Sequence, residues 1–178
     1  MQRRTFILAL AAIINSLMGA MVAMPGIRFL LDPLRRKRGH DEFIRITPLS
    51  AVSADRPSRV TVVADRWDAF VHHSAAPIGA VWLLRSDSEN DEPRVKCLQT
   101  ICPHLGCGID FVAGRRVFVC PCHASEFDAA GKAQYGPSLR DMDELECRVS
   151  PPDENGGRWV EVKYQEFKTG VPDRRPLI

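Results

Sequence analysis

The chain has 178 residues, enough for one globular domain with an appendage. Its net charge of +2 is too small to argue for nucleic acid as a partner, and charges of both signs are interspersed except in two short basic runs near the N-terminus. Six cysteines, Cys97, Cys102, Cys107, Cys120, Cys122 and Cys147, with four of them between positions 102 and 122, point to metal, disulfides or a mixture of both.

The chain opens MQRRTFILALAAIINSLMGAMVAM. From Thr5 to Met24 no residue is charged, and these twenty residues at about 1.5 Å rise each span the roughly 30 Å hydrocarbon thickness of a bilayer. Pro25-Gly26 predicts an end or kink. Arg3-Arg4 directly before Thr5-Phe6-Ile7-Leu8 resembles a twin-arginine export signal, a route that carries folded proteins and so allows a cofactor to be inserted first. No small-x-small cleavage site follows, so residues 1–31 are expected to stay as a single-pass anchor. The basic run Arg35, Arg36, Lys37, Arg38, counted as a loop, would put this side in the cytoplasm. The export signal argues the reverse, and the expected location is the inner (plasma) membrane with the C-terminal domain on the extracytoplasmic side.

Residues 32–45, DPLRRKRGHDEFIR, are polar and basic and contain Pro33 and Gly39, the composition of a flexible neck. Strand-like runs then recur at Arg59–Ala64, Ala80–Arg85, Arg94–Ile101, Arg116–Cys120, Glu144–Ser150 and Arg158–Tyr164. Turn signals separate them at 86–93, 113–114, 129–131, 136–137 and 151–157. Nothing in 43–165 holds a helical period. The expected class is all-β, a sandwich or small barrel over residues 46–165, followed by a tail over 166–178.

The chemistry concentrates in two boxes, CPHLGC at 102–107 and CPCHAS at 120–125. Cys102-x-His104 is followed after fifteen residues by Cys120-x-x-His123, each pair at the end of a strand-like run, so two hairpin tips can bring the pairs together. Thiolates and imidazoles leave zinc and iron–sulfur as the metals to consider. Zinc fingers place two cysteines on one arm and two histidines on the other. Here each arm supplies one of each, which suits a two-iron cluster with thiolates on one iron and imidazoles on the other. Four cysteines in disulfides, with incidental histidines, is the third option.

Cys-x-His-x15-Cys-x2-His, with Cys107 after Leu105-Gly106 and Cys122 inside the second box, resembles the Rieske iron–sulfur proteins of quinol-oxidising cytochrome bc complexes. The resemblance covers anchor, neck, β domain and both boxes. It implies a Rieske-type antiparallel β sandwich with a small cluster-binding part at about 98–140, and one 2Fe–2S cluster. It implies that Cys102 and Cys120 bind one iron, that His104 and His123 bind the other, and that Cys107 and Cys122 form a disulfide joining the two loops. Soluble Rieske ferredoxins generally lack that disulfide, and an oxidising compartment allows it. Gly136-Pro137 matches the proline-containing loop that shields the cluster. Leu105 would lie near the docking surface, and Ser125 matches a serine that hydrogen-bonds a bridging sulfide.

The implied function is that of a redox subunit of a quinol:cytochrome c oxidoreductase. His104 or His123 would contact quinol at cytochrome b and take its proton, and the domain would swing on its neck to pass the electron to a c-type cytochrome. Oxidised, a two-thiolate, two-imidazole cluster is uncharged, so it accepts an electron more readily than a four-cysteine cluster, at roughly −150 to +300 mV. The second ring nitrogen of each imidazole couples a proton to that electron. Three residues depart from the family. Phe127 stands where high-potential members have tyrosine, which predicts a lowered potential suited to menaquinol. Ala124 replaces a glycine and Pro103 a threonine. The competing reading is the small Rieske subunit of an arsenite oxidase. Cys97 and Cys147 lie outside the family pattern, either as buried free thiols or as a second disulfide. His40, His72 and His73 are expected at the surface.

Overall fold

A 33-residue helix, α1 (Arg3–Arg35), opens the chain and shows why its sequence has so few charges. Its apolar side chains, among them Phe6, Leu17, Met21 and Leu30, are exposed all round and touch no core. A helix hydrophobic on every face needs an apolar surrounding, and Arg3–Asp32 is long and apolar enough to cross a membrane. The computed structural model describes residues 3–35, 42–68, 71–86 and 93–177. The helix does not end at Pro25-Gly26. Proline removes one i→i−4 hydrogen bond, and the remaining bonds carry the helix through. It also runs past Leu31 to Arg35, into the segment assigned to the neck. Residues 36–41 of that neck, with the basic residues Arg36, Lys37 and Arg38 and with His40, lie outside the described residues.

The chain divides into two units, Met1–Lys37 and Arg38–Leu177. The second unit is built from eleven described strands in three antiparallel sheets. The first sheet orders β1 (Ile44–Pro48), β11 (Trp159–Val162) and β10 (Cys147–Val149). The second orders β2 (Ser58–Asp68), β3 (Val71–Ser86), β4 (Arg94–Gln99) and β9 (Glu144–Leu145). The third orders β5 (Asp110–Val112), β6 (Val117–Val119), β7 (Glu126–Phe127) and β8 (Ala133–Tyr135). All six predicted strand-like runs are strands, with Glu144–Ser150 split in two at Glu146 as the chain passes between sheets. The long β2–β3 hairpin extends beyond its predicted strands, and His72 and His73 stand exposed on it.

The second sheet is the middle layer, and strand alternation explains how. Val81, Leu83, Cys97 and Leu145 point to one face, where they meet Val160 and Val162 of the first sheet in a sandwich core. Trp82, Leu84 and Leu98 point to the other face, where they meet Ile109, Phe118, Phe127, Cys102 and Cys120 in a second core. Residues that alternate along β3 and β4 thus serve two cores, which is why these strands read as continuous apolar runs rather than alternating ones. Gly79 is required by close approach, since a Cβ there would lie 1.9 Å from the Tyr164 hydroxyl.

Residues 166–177 are not a loose tail. Phe167 joins the sandwich core, Leu177 N–H donates to Glu166 O at 2.8 Å, and Phe167 bridges to Pro176. The sequence of this stretch carries no strand pattern, and its place depends on long-range contacts alone.

Candidate metal centre

The first box leaves β4 and turns back on itself. Cys102 N–H donates to Cys107 O at 2.7 Å, Gly106 N–H to Cys102 O at 2.9 Å, and Ile109 N–H to Thr100 O at 2.8 Å. Gly106 has φ +83°, a left-handed turn position that glycine adopts without steric cost. The indole of Trp82 donates to Ile109 O at 3.1 Å, anchoring this loop to the middle sheet. The second box connects β6 to β7, closed by Cys120 N–H donating to Ser125 O at 2.8 Å. Ala124 there has φ +54°, a left-handed position that suits glycine and leaves this alanine with strain.

A disulfide between Cys107 and Cys122, fifteen residues apart, ties the two loops together. Those two cysteines are therefore not free to ligate metal, although their sulfurs and Cys120 Sγ all lie within 4.8 Å of one another. What remains is one thiol and one imidazole from each loop. Cys102 and Cys120 are buried free thiols, and the rings of His104 and His123 meet edge to face at 4.9 Å. The thiols lie on the inner side against the second core, whereas His104 is half-buried and His123 exposed. Burial, and then the neighbouring Cys120, push the Cys102 thiol up. The His104 backbone N–H acts the other way.

Two buried polar atoms here make no hydrogen bond, His104 Nδ1 and Ser125 Oγ. Orphaned buried polar atoms are rare and costly in folded proteins. Both sit where a metal–sulfur group would give them a partner, so the donor set fits such a group: Nδ1 has a lone pair to offer, and the hydroxyl a proton to donate. Phe127 is wholly buried two residues beyond Ser125 and carries no polar atom to add.

Gly136-Pro137 closes over the second box. A Cβ on Gly136 would lie 2.6 Å from Ser125 Cα and 2.7 Å from Ala124 O, and its φ is +94°, so only glycine fits. Leu105 and Leu139 on loops and Tyr135 at the end of β8 are exposed. Sequence reasoning missed one support. Arg140, 9% exposed, pairs with Asp143 at 2.8 Å and donates to the carbonyls of Lys168 and Val171. Gly170 N–H in turn donates to Pro103 O at 2.9 Å. Arg140 thus connects the proline-containing loop, the C-terminal stretch and the first box, a link between distant segments that no local pattern announces.

Two loops that each bring one buried thiol and one imidazole to a single end of a β sandwich, tied by a disulfide, have the donor set of an iron–sulfur electron-transfer domain. The chain belongs to the Rieske [2Fe-2S] domain family, which matches residues 44–147, and it carries that family's one 2Fe–2S cluster. The menaquinol:cytochrome c reductase iron-sulfur subunit of Bacillus subtilis (strain 168) is 25% identical over 151 residues, which are 83% of this chain and 86% of that one. The chloroplastic cytochrome b6-f complex iron-sulfur subunit of Chlamydomonas reinhardtii is 36% identical over 78 residues, which are 42% of this chain and 35% of the relative. The match thus spans about a third of that relative's length. The cyanobacterial plasma membrane Rieske protein PetC3 from Synechocystis PCC 6803 aligns with a TM-score of 0.44 at 22% identity, over 66% of this chain and 97% of that one.

Proposed function

We propose that this protein is the Rieske subunit of a cytochrome bc-type complex, taking one electron and a coupled proton from quinol at cytochrome b and passing the electron to a c-type cytochrome. The observation that carries the reading is the polarity of the site. Its thiols are buried, whereas His104 is half-buried and His123 exposed, so a donor in solution or in a partner's pocket meets histidine first. The name of the Bacillus relative, matched along most of both chains, favours quinol oxidation over an arsenite oxidase role.

In this reading Cys102 and Cys120 hold one iron, and His104 and His123 the other. The bound group supplies one-electron redox chemistry at a potential raised by imidazole ligation. The chain's own part is to orient and to hold protons. His104 Nδ1, buried and unpartnered, is the ring atom suited to the metal, which leaves the opposite ring nitrogen to take a proton from quinol. His123, the more exposed of the two, offers the quinol contact. Ser125 Oγ stabilises negative charge by donating a hydrogen bond. Leu105 forms an apolar tip for docking, and α1 keeps the domain at the membrane, on its extracytoplasmic side.

Phe127 sets the donor class. It withholds the hydroxyl that would stabilise extra charge on a ligand sulfur, which lowers the potential and suits menaquinol. Phe127→Tyr should raise the midpoint potential measured by redox titration; an unchanged midpoint would remove the argument. The reading as a whole is tested by electron paramagnetic resonance of the reduced protein, which should give an average g below the free-electron value. Quinol-dependent reduction of a c-type cytochrome by membranes should be lost in His123→Ala. Membranes that reduce the cytochrome from arsenite but not from quinol would overturn the assignment.

A further inference from the structure

The two cysteines outside the metal centre face each other across the base of the fold. Cys97 lies on β4 of the middle sheet and Cys147 on β10 of the first sheet, and both enter the sandwich core between those sheets. Cys97 sits opposite Leu145 in the β4–β9 ladder. Cys147 follows two residues later, once the chain has crossed to the first sheet, where it pairs with Val162. The Cys147 thiol donates to Val95 O at 3.0 Å, two residues before Cys97 on β4, so both thiols border the same core beside that strand. Both are free thiols in this structure.

The pair is asymmetric in the way reactive dithiols are. Cys97 is wholly buried, and its hydrogen bond to Cys147, then burial, push its thiol far up. Cys147 is only half-buried, and the hydrogen bond from Cys97 draws its thiol down. A partly accessible sulfur backed by a second, wholly buried sulfur has the arrangement of an attacking and a resolving cysteine.

We propose that Cys97 and Cys147 are a redox-active dithiol that closes into a second disulfide, joining the two sheets of the sandwich. The oxidant is a disulfide, either small or carried by a protein. The Cys147 thiolate attacks one sulfur of that disulfide and expels the other as a thiol, leaving a mixed disulfide on Cys147. Cys97 gives up its proton to the departing sulfur and attacks Cys147 Sγ, releasing the second thiol. Two cysteine thiols are oxidised, one disulfide is reduced to two thiols, and the two protons leave on them. The ring so closed runs from Cys97 to Cys147 and contains both ligand loops, so the bond would fasten the ends of the whole cluster-bearing part to the base. None of this depends on the cluster or on its electron donor.

The test uses the full-length, detergent-extracted protein with its cluster. After exposure to oxidised glutathione, it is alkylated under denaturing conditions, digested and mapped by mass spectrometry. The peptides bearing Cys97 and Cys147 should be joined, and the melting midpoint should rise by about 10 °C, reversed by dithiothreitol. In Cys97→Ala, Cys147 should retain glutathione, having no sulfur to resolve it. In Cys147→Ala, Cys97 should remain a free thiol; this second variant serves as the control should the first not fold. Alkylation of both cysteines in the oxidised wild type, or glutathione retained on wild-type Cys147, overturns the proposal. The peptide map reads these two residues whether or not a cluster is bound, so its failure is distinguishable from failure of the electron-transfer reading.

Discussion

The two cores on either side of the middle sheet are held by different means. The sandwich core joins two sheets through wholly buried Val62, Val81, Leu83, Val160 and Val162, and its longest ladder pairs β2 with β3 from Ser58 to Asp68. The second core supports strands of only two or three residues. Sheets that short do not hold together by ladder hydrogen bonds alone. They are fastened instead by the Cys107–Cys122 disulfide, by Trp82 and by the Arg140–Asp143 pair. The lesson is that the base is a hydrophobic fold, whereas the tip is a cross-linked one. That division lets the tip leave polar atoms such as His104 Nδ1 unsatisfied for a ligand without unfolding the whole.

The most severe way to break the comparison is to remove a proposed ligand. Cys120→Ser should abolish the visible absorption and the paramagnetic signal of the cluster while far-ultraviolet circular dichroism retains the sandwich; loss of both together would mean that the two halves fold as one. Next comes the loop disulfide. Cys107→Ser with Cys122→Ser should cost about 3 kcal/mol, by the entropy of a fifteen-residue loop. Its effect should appear as faster cluster loss on heating before the sandwich melts.

A smaller effect belongs to the base. Glu161 lies between Arg45 and Arg148, at 3.0 and 2.8 Å, on the outer face of the first sheet. Burial would raise its carboxyl, but the hydrogen bonds from Arg148 and Arg45 outweigh this and hold it below the usual range. A lowered folded-state value means stability that is present above the unfolded value of about 4.3 and is lost as pH falls through the folded one. Both arginines are more than half exposed, so solvent screens the pair. Glu161→Gln should therefore cost about 1 kcal/mol at neutral pH and flatten the acid limb of stability, measured by urea melts between pH 3 and 7 (roughly the window in which the carboxyl titrates). The smallest effect is at the tip. Ala124→Gly removes the left-handed strain at φ +54° but adds chain entropy to the unfolded state, for a net gain of about 0.5 kcal/mol.

The sequence was most readable where chemistry imposes spacing. Both boxes and the apolar α1 are local patterns, and each appears in the structure where its pattern lies; the pairing of Cys107 with Cys122 and the covering Gly136-Pro137 came from the family resemblance and are also there. The short strands β5, β7 and β8 were not readable, since two or three residues establish no period. Nor was the docking of residues 166–177, or the part played by Arg140, which reaches carbonyls 28 and 31 residues away.

By itself, then, the sequence determined the donor types, their order along the chain and the class of cluster they suit, because ligand identity and loop spacing are properties of neighbouring residues. Only the tertiary structure decided which side of the site is wet. It turned Cys102 and Cys120 inward and His123 outward, by seating both loops on the face of the middle sheet that carries Trp82 and Leu98. It also decided that Cys97 and Cys147, fifty residues apart, border the same core, because alternation along β4 and the crossing at Glu146 send both side chains into it. Burial and distant contact come from packing among many segments, and no short stretch of residues encodes them alone.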